Sequence, residues 1–129
     1  MFASLLQRDN RVRVTFDGVP QNDTDYNTYI TELDRIYTEK KQFVILFDAR
    51  KIGAVSMSYI KQQAEYMHQR REDTVKYMNR VAVVVSSPMA SAMLKTLFLI
   101  RPPAVKVKIF YDINKAKTYL RLCDYHRDN

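Results

Sequence analysis

At 129 residues the chain has the length of one domain, 1–129, able to bury roughly two-thirds of its unfolded surface without disulfide or metal support. Its 21 Lys and Arg against 14 Asp and Glu leave a net charge of +7, which favours anionic partners: nucleic acid, acidic lipid headgroups or an acidic protein. Two glycines exclude the phosphate-cradling loop and the dinucleotide fingerprint. One cysteine, Cys123, and two histidines, His68 and His126, exclude the usual zinc spacings, so neither cofactor nor metal is expected.

Cys123 reads as a small apolar filler on the last helix and suits a reducing, cytoplasmic setting. The N-terminal MFASLLQRDNRV is too short and too polar after Leu6 for a signal peptide. The apolar run Met89 to Ile100, interrupted by Lys95, falls short of the ~20 residues a bilayer requires. A soluble protein is expected.

In chain order, residues 2–7 and 11–16 predict a hairpin turning at Asp9-Asn10. Val12, Val14 and Phe16 alternate with Arg11, Arg13 and Thr15, the period of a strand with one wet face. A helix is predicted from Asp23 to Lys40, with Tyr26, Tyr29, Ile30, Leu33, Ile36 and Tyr37 on one stripe. Phe43 to Phe47, ending in Asp48, is the continuous apolar run of a strand covered on both faces. The next helix is expected from Ser56 or Ser58 to Asn79, burying Ile60, Ala64, Met67, Val75 and Met78, with Arg71 on the same edge.

From Arg80 the boundaries are sharper. Val81 to Val85 reads as a second buried strand, Ser87 as the cap of a helix with Pro88 in its first turn, and Pro102-Pro103 as its stop. Val105 to Phe110 predicts an edge strand, since Lys106 and Lys108 alternate with the apolar positions. Asp112 caps a closing helix that buries Ile113, Ala116, Leu120 and Cys123. Strands alternating with helices predict an α/β sandwich: a mainly parallel mixed sheet of about five strands with about four helices and an N-terminal hairpin.

Three segments carry a family resemblance: ILFDARKIGAVS at 45–56, RVAVVVSSPMASAMLKTLFLIRPPAVKVKIFYD at 80–112, and AKTYL at 116–120. They resemble the SpoIIAA-like group of the STAS (anti-sigma-factor antagonist) fold, which shares a pattern with CRAL-TRIO lipid-transfer domains. The resemblance implies a non-enzymatic role: docking onto protein partners, often switched by phosphorylation in the loop after the central strand. Here that loop holds Ser56 and Ser58. The chain departs from the regulatory members in lacking the acidic residue before the phosphorylated serine, with Met57 near the expected position.

In open α/β sheets partners meet the carboxyl ends of the strands. Those ends supply Asp48, Arg50 and Lys51, then Ser86 and Ser87 as an anion site, then Tyr111-Asp112. The helix 88–100 has almost no polar face, so Met93, Leu94 and Phe98 are the candidate partner or self-association contact. His68 to Arg71 with Lys61, Lys76 and Arg80 is a possible nucleic-acid or anionic-membrane surface, broken by Glu65, Glu72 and Asp73. No nucleophile elbow, Cys–His pair or carboxylate pair is present, so no enzyme is expected. Peripheral binding of anionic lipid or a small apolar ligand is the rival reading, although this length leaves little room for an internal lipid cavity.

Overall fold

The computed structural model describes the backbone of residues 1–128 and the side chains of residues 1–121. Five strands form one sheet in the order of their appearance: β1 (Ala3–Arg8), β2 (Arg11–Gly18), β3 (Phe43–Ile52), β4 (Met78–Val84) and β5 (Val107–Phe110). β1 pairs antiparallel with β2 through the turn at Asp9, whose φ of 56° is the left-handed conformation that Asp tolerates. All later pairings are parallel, as crossover connections require.

Five helices cover the sheet: α1 (Asp23–Thr38), α2 (Met57–Gln69), α3 (Arg71–Tyr77), α4 (Pro88–Ile100) and α5 (Ile113–Asp128). The period-2 alternation sorts the strand side chains between two cores. Val12, Val14, Phe16, Ile45, Val81, Val83 and Val85 face α1 to α4. Val44, Leu46, Ala82 and Val84 face Ala116 and Leu120 of α5. Because β3 and β4 are apolar on both sides, they occupy the sheet interior, where both faces are covered.

The strand order never reverses, so the fold lacks the switch-point crevice in which doubly wound sheets bind nucleotides. On the α5 side, the outward residues of β1 and β2 stay uncovered: Leu6 is 63% exposed, next to Arg13 across the hairpin.

The single helix expected over 56–79 is two helices and the start of a strand. Arg70 breaks the helical geometry (φ −96°, ψ 10°), and the chain restarts as α3 in a shifted phase. Thr74 therefore turns inward, while Val75, expected in the core, is 65% exposed. Arg71 is likewise outside the core and donates to the His68 carbonyl at 2.7 Å. Met78 is buried as expected, but as the first residue of β4. The expected packing of Cys123 lies outside the described side chains.

Caps account for several boundaries. Asn22 accepts from Asp25 N–H at 2.9 Å to open α1, and Ser87 accepts from Ala90 N–H at 3.1 Å to open α4, with Pro88 behind it. Asp112 accepts from Asn114 N–H at 2.8 Å ahead of α5. The chain's two glycines meet where β2 and β3 end: Gly53 N–H donates to Gly18 O at 2.8 Å, and Gly18 holds φ +68°. A Cβ on Gly53 would lie 3.0 Å from Val19 Cγ1, so a larger residue there would push against the β2 end.

Candidate functional site

Asp48 is the one buried carboxylate among the described residues, 4% exposed, and it lies within β3, which runs on to Ile52 instead of ending at Asp48 as expected. Arg50 two residues on reaches back with Nε at 2.9 Å and Nη2 at 2.8 Å, and its backbone N–H donates at 3.2 Å. Arg13 on β2 supplies a further bond at 2.9 Å. The Arg50 guanidinium is the main cause that lowers the Asp48 carboxyl from 3.8 to about 2, with Arg13 adding to it. A carboxylate so stabilised as the anion is a poor proton acceptor at neutral pH. Its evident work is to fix Arg50 and Arg13.

Arg50 is in turn joined to the end of β4: the Ser86 hydroxyl donates to the Arg50 carbonyl at 2.8 Å. The sequence candidates Arg50 and Ser86 thus share one edge of the molecule. Lys51 is exposed beside Arg50. Ser87 spends its side chain on the α4 cap. Ser86, Ser87, Pro88, Ser91, Ala92 and Lys95 frame a shallow surface depression with Tyr111 from the end of β5, and Tyr111 is 69% exposed.

Ser56 and Ser58 are both exposed at the start of α2. Ser56 holds the N-cap position without a side-chain capping bond, and Ser58 accepts from Gln62 Nε2 at 3.4 Å.

On α4, Met93, Leu94 and Phe98 are half-buried and turned toward the sheet side. The large apolar side chains exposed on that helix are Met89 and Leu99. The basic stretch is mostly engaged. Arg70 binds Asp34 and Asp73, and Arg80 donates to the Tyr119 carbonyl at 2.9 Å while lying 4.5 Å from its ring centroid.

A feature without a clear signal in the sequence lies between the sheet and the helices of the first core. A cavity of about 190 Å³ is bounded by the sheet, α1, α2 and α4. Phe16, Tyr26, Tyr29, Phe47 and Tyr59 contribute aromatic walls, and none of the lining residues carries a formal charge. Tyr26 Oη donates to Gln63 Oε1 at a long 3.4 Å. Burial raises the Tyr26 and Tyr29 phenols well above their ordinary range, so both are neutral donors. The nine tyrosines, with Tyr26, Tyr29 and Tyr59 among those on the helices, were the only hint.

A family model described as Domain of unknown function (DUF7793) matches residues 9–123. The chain belongs to that family. No curated protein matches it. Among solved structures, it is similar to an uncharacterized protein of the DUF3478 family with a SpoIIAA-like fold from Shewanella loihica PV-4. That match has a TM-score of 0.66 at 16% identity, covering 92% of this chain and 91% of the other. It is also similar to an anti-sigma factor antagonist from Mycobacterium paratuberculosis, with a TM-score of 0.62 at 11% identity and 92% of each chain covered. At such identities the likeness shows the fold, which is the SpoIIAA-like α/β sandwich expected from the three sequence segments. Among the described residues no helix is long and apolar enough to cross a membrane.

Proposed function

We propose that this chain is a non-enzymatic, cytoplasmic docking module of the STAS type. Its contact surface is the carboxyl edge of the sheet together with the exposed side of α4. One observation carries the reading: Tyr111 from the end of β5 and Ser86 to Lys95 around the α4 start share one surface depression. Tyr111, Met89 and Leu99 offer exposed apolar anchors, Lys95 is a cation on the rim of the depression, and Lys51 is exposed on the neighbouring end of β3. Met93, Leu94 and Phe98, the sequence candidates for this contact, are turned inward under α4 and stand outside this surface. This chemistry fits a protein partner presenting acidic groups around an apolar patch.

The fold likeness to an anti-sigma factor antagonist supports a protein partner. Phosphorylation of Ser56 or Ser58 would add charge at the α2 start and tune that contact. Self-association as a homodimer, or incorporation as a subunit, uses the same surface.

The test compares the wild type with a Lys95→Glu/Tyr111→Ala double variant. Native lysate is passed over each, captured proteins are identified by mass spectrometry, and light scattering gives the mass of each protein alone. A partner or dimer held by the wild type and lost by the folded double variant supports the reading. A wild-type monomer whose captured proteins are unchanged in the variant sinks it.

A further inference from the structure

We propose that the cavity between the sheet and helices α1, α2 and α4 binds a small, neutral aromatic molecule of one or two rings, oriented by a hydrogen bond to Gln63. This site is separate from the docking surface and stands without it.

Size sets the class of ligand. At about 190 Å³ the cavity exceeds the ~150 Å³ apolar cavity known to admit benzene, yet it lies below the ~300 Å³ at which drug-sized pockets begin. A fused two-ring compound is near the upper limit, and an extended acyl chain does not fit. Charge narrows the choice further. Without a Lys, Arg, His, Asp or Glu on the wall, a bound carboxylate or ammonium would be desolvated with nothing to compensate it. The ligand is therefore neutral.

Ring geometry favours an aromatic over an aliphatic guest. Tyr26 meets Tyr59 with centroids 5.2 Å apart, and Phe16 meets Tyr29 at 5.4 Å in an edge-on arrangement. A flat guest can continue such tilted and edge-to-face contacts. Gln63 is the polar handle. Its Oε1 accepts a long bond from Tyr26, and an amide oxygen has a second lone pair that can take a ligand N–H while the buried phenol keeps its partner. Partly exposed residues on the wall, including Val55, Tyr59 and Gln63, mark where solvent and ligand reach the site.

The methionines make the test internal. Met67, Met78 and Met93 line the cavity, whereas Met1, Met57 and Met89 are exposed elsewhere. The full chain, labelled at its methionine methyls, is titrated with indole and separately with indole-3-acetate. Indole is expected to shift Met67, Met78 and Met93 saturably, with a dissociation constant below about 1 mM, and to leave the exposed methyls in place. The anionic analogue is expected to bind at least about tenfold more weakly. Two filling substitutions, Ala90→Leu on α4 and Val55→Phe on the partly exposed loop, are expected to weaken indole at least about tenfold. Val55→Phe decides the matter if Ala90→Leu does not fold. A wild type whose cavity methyls do not respond to indole overturns the proposal. So does equal binding of indole-3-acetate, or a folded Val55→Phe protein that binds indole as the wild type does.

Discussion

Arg70 reaches from the α2–α3 junction across to α1, placing Nη2 at 2.6 Å and Nε at 3.1 Å from the same Asp34 oxygen. The guanidinium lies 5.3 Å from the Tyr37 ring centroid and also binds Asp73 at 3.1 Å. Tyr66 donates to the same Asp34 oxygen at 2.8 Å. One side chain thus joins three helices, at the point where the helical path breaks. Arg70→Lys keeps the charge but loses the planar fork and the stacking. Both partners are partly solvated, so the expected loss is about 1 kcal/mol, or several degrees in Tm for a domain of this size. Thermal unfolding at neutral pH checks it. A Tm unchanged within a degree would mean that the network does not hold the junction.

Asp48 makes stability depend on acid. Its folded pKa of about 2 lies below the ordinary 3.8, so between these values the unfolded chain binds more protons than the folded one. The contribution is complete above about pH 5 and is lost as pH falls toward 2, with a ceiling of about 2 kcal/mol. Asp48→Asn is expected to lose most of that at pH 7, where it also leaves Arg13 and Arg50 without their carboxylate. Urea titrations of both proteins should show the gap narrowing from pH 7 to pH 3. A gap that is constant with pH would mean that the ion pairs contribute nothing and that the substitution acts through packing.

Lys40 follows Glu39, the C-cap of α1, with φ +53°, and its N–H donates to Tyr37 O at 3.1 Å. That left-handed position is where glycine usually stands after a helix, because a Cβ crowds the neighbouring carbonyl there. Lys40→Gly relieves the strain and is expected to stabilise by about 0.5–1 kcal/mol, partly offset by the greater freedom of the unfolded chain. A shift in the urea midpoint at constant slope would show it. Destabilisation would mean that the Lys40 side chain contributes more than its backbone strain costs.

Where each boundary residue has a local reason to be where it is, the sequence was readable. Ser87, Pro88 and Asp112 satisfy or remove backbone N–H groups within a few residues of themselves, and the helices begin beside them. The paired apolar faces of β3 and β4 likewise state their burial directly. What escaped notice depends on partners distant in sequence. Arg70 meets Asp34 only once α1 and α2 pack together, so a helix break there has no local signature. The cavity is a mismatch between the volumes of separate elements, and no single stretch records it. Asp48 reads in the sequence as the end of its strand, whereas β3 continues to Ile52 and carries Arg50 back onto the carboxylate, with Arg13 joining from β2. Arg13 lies 35 residues away.

The phase shift at Arg70 gives the sharpest contrast between sequence periodicity and structure. A continuous helix would bury Val75 and expose Thr74. The observed break reverses them, leaving Val75 65% exposed and Thr74 9% exposed. Thr74 Oγ1 pairs with Tyr37 Oη at 2.8 Å and donates to the Arg70 carbonyl at 2.8 Å, so its hydroxyl is committed on both sides. Val75→Lys should therefore be nearly neutral, within about 0.5 kcal/mol, as for surface substitutions away from special features. Thr74→Val keeps the shape and removes the hydroxyl, leaving the buried Tyr37 phenol without that partner. A loss of about 1–2 kcal/mol is expected. If denaturant midpoints instead showed Val75→Lys as the damaging change and Thr74→Val as harmless, α2 and α3 would form one continuous helix in solution, and the Arg70 junction would not exist there.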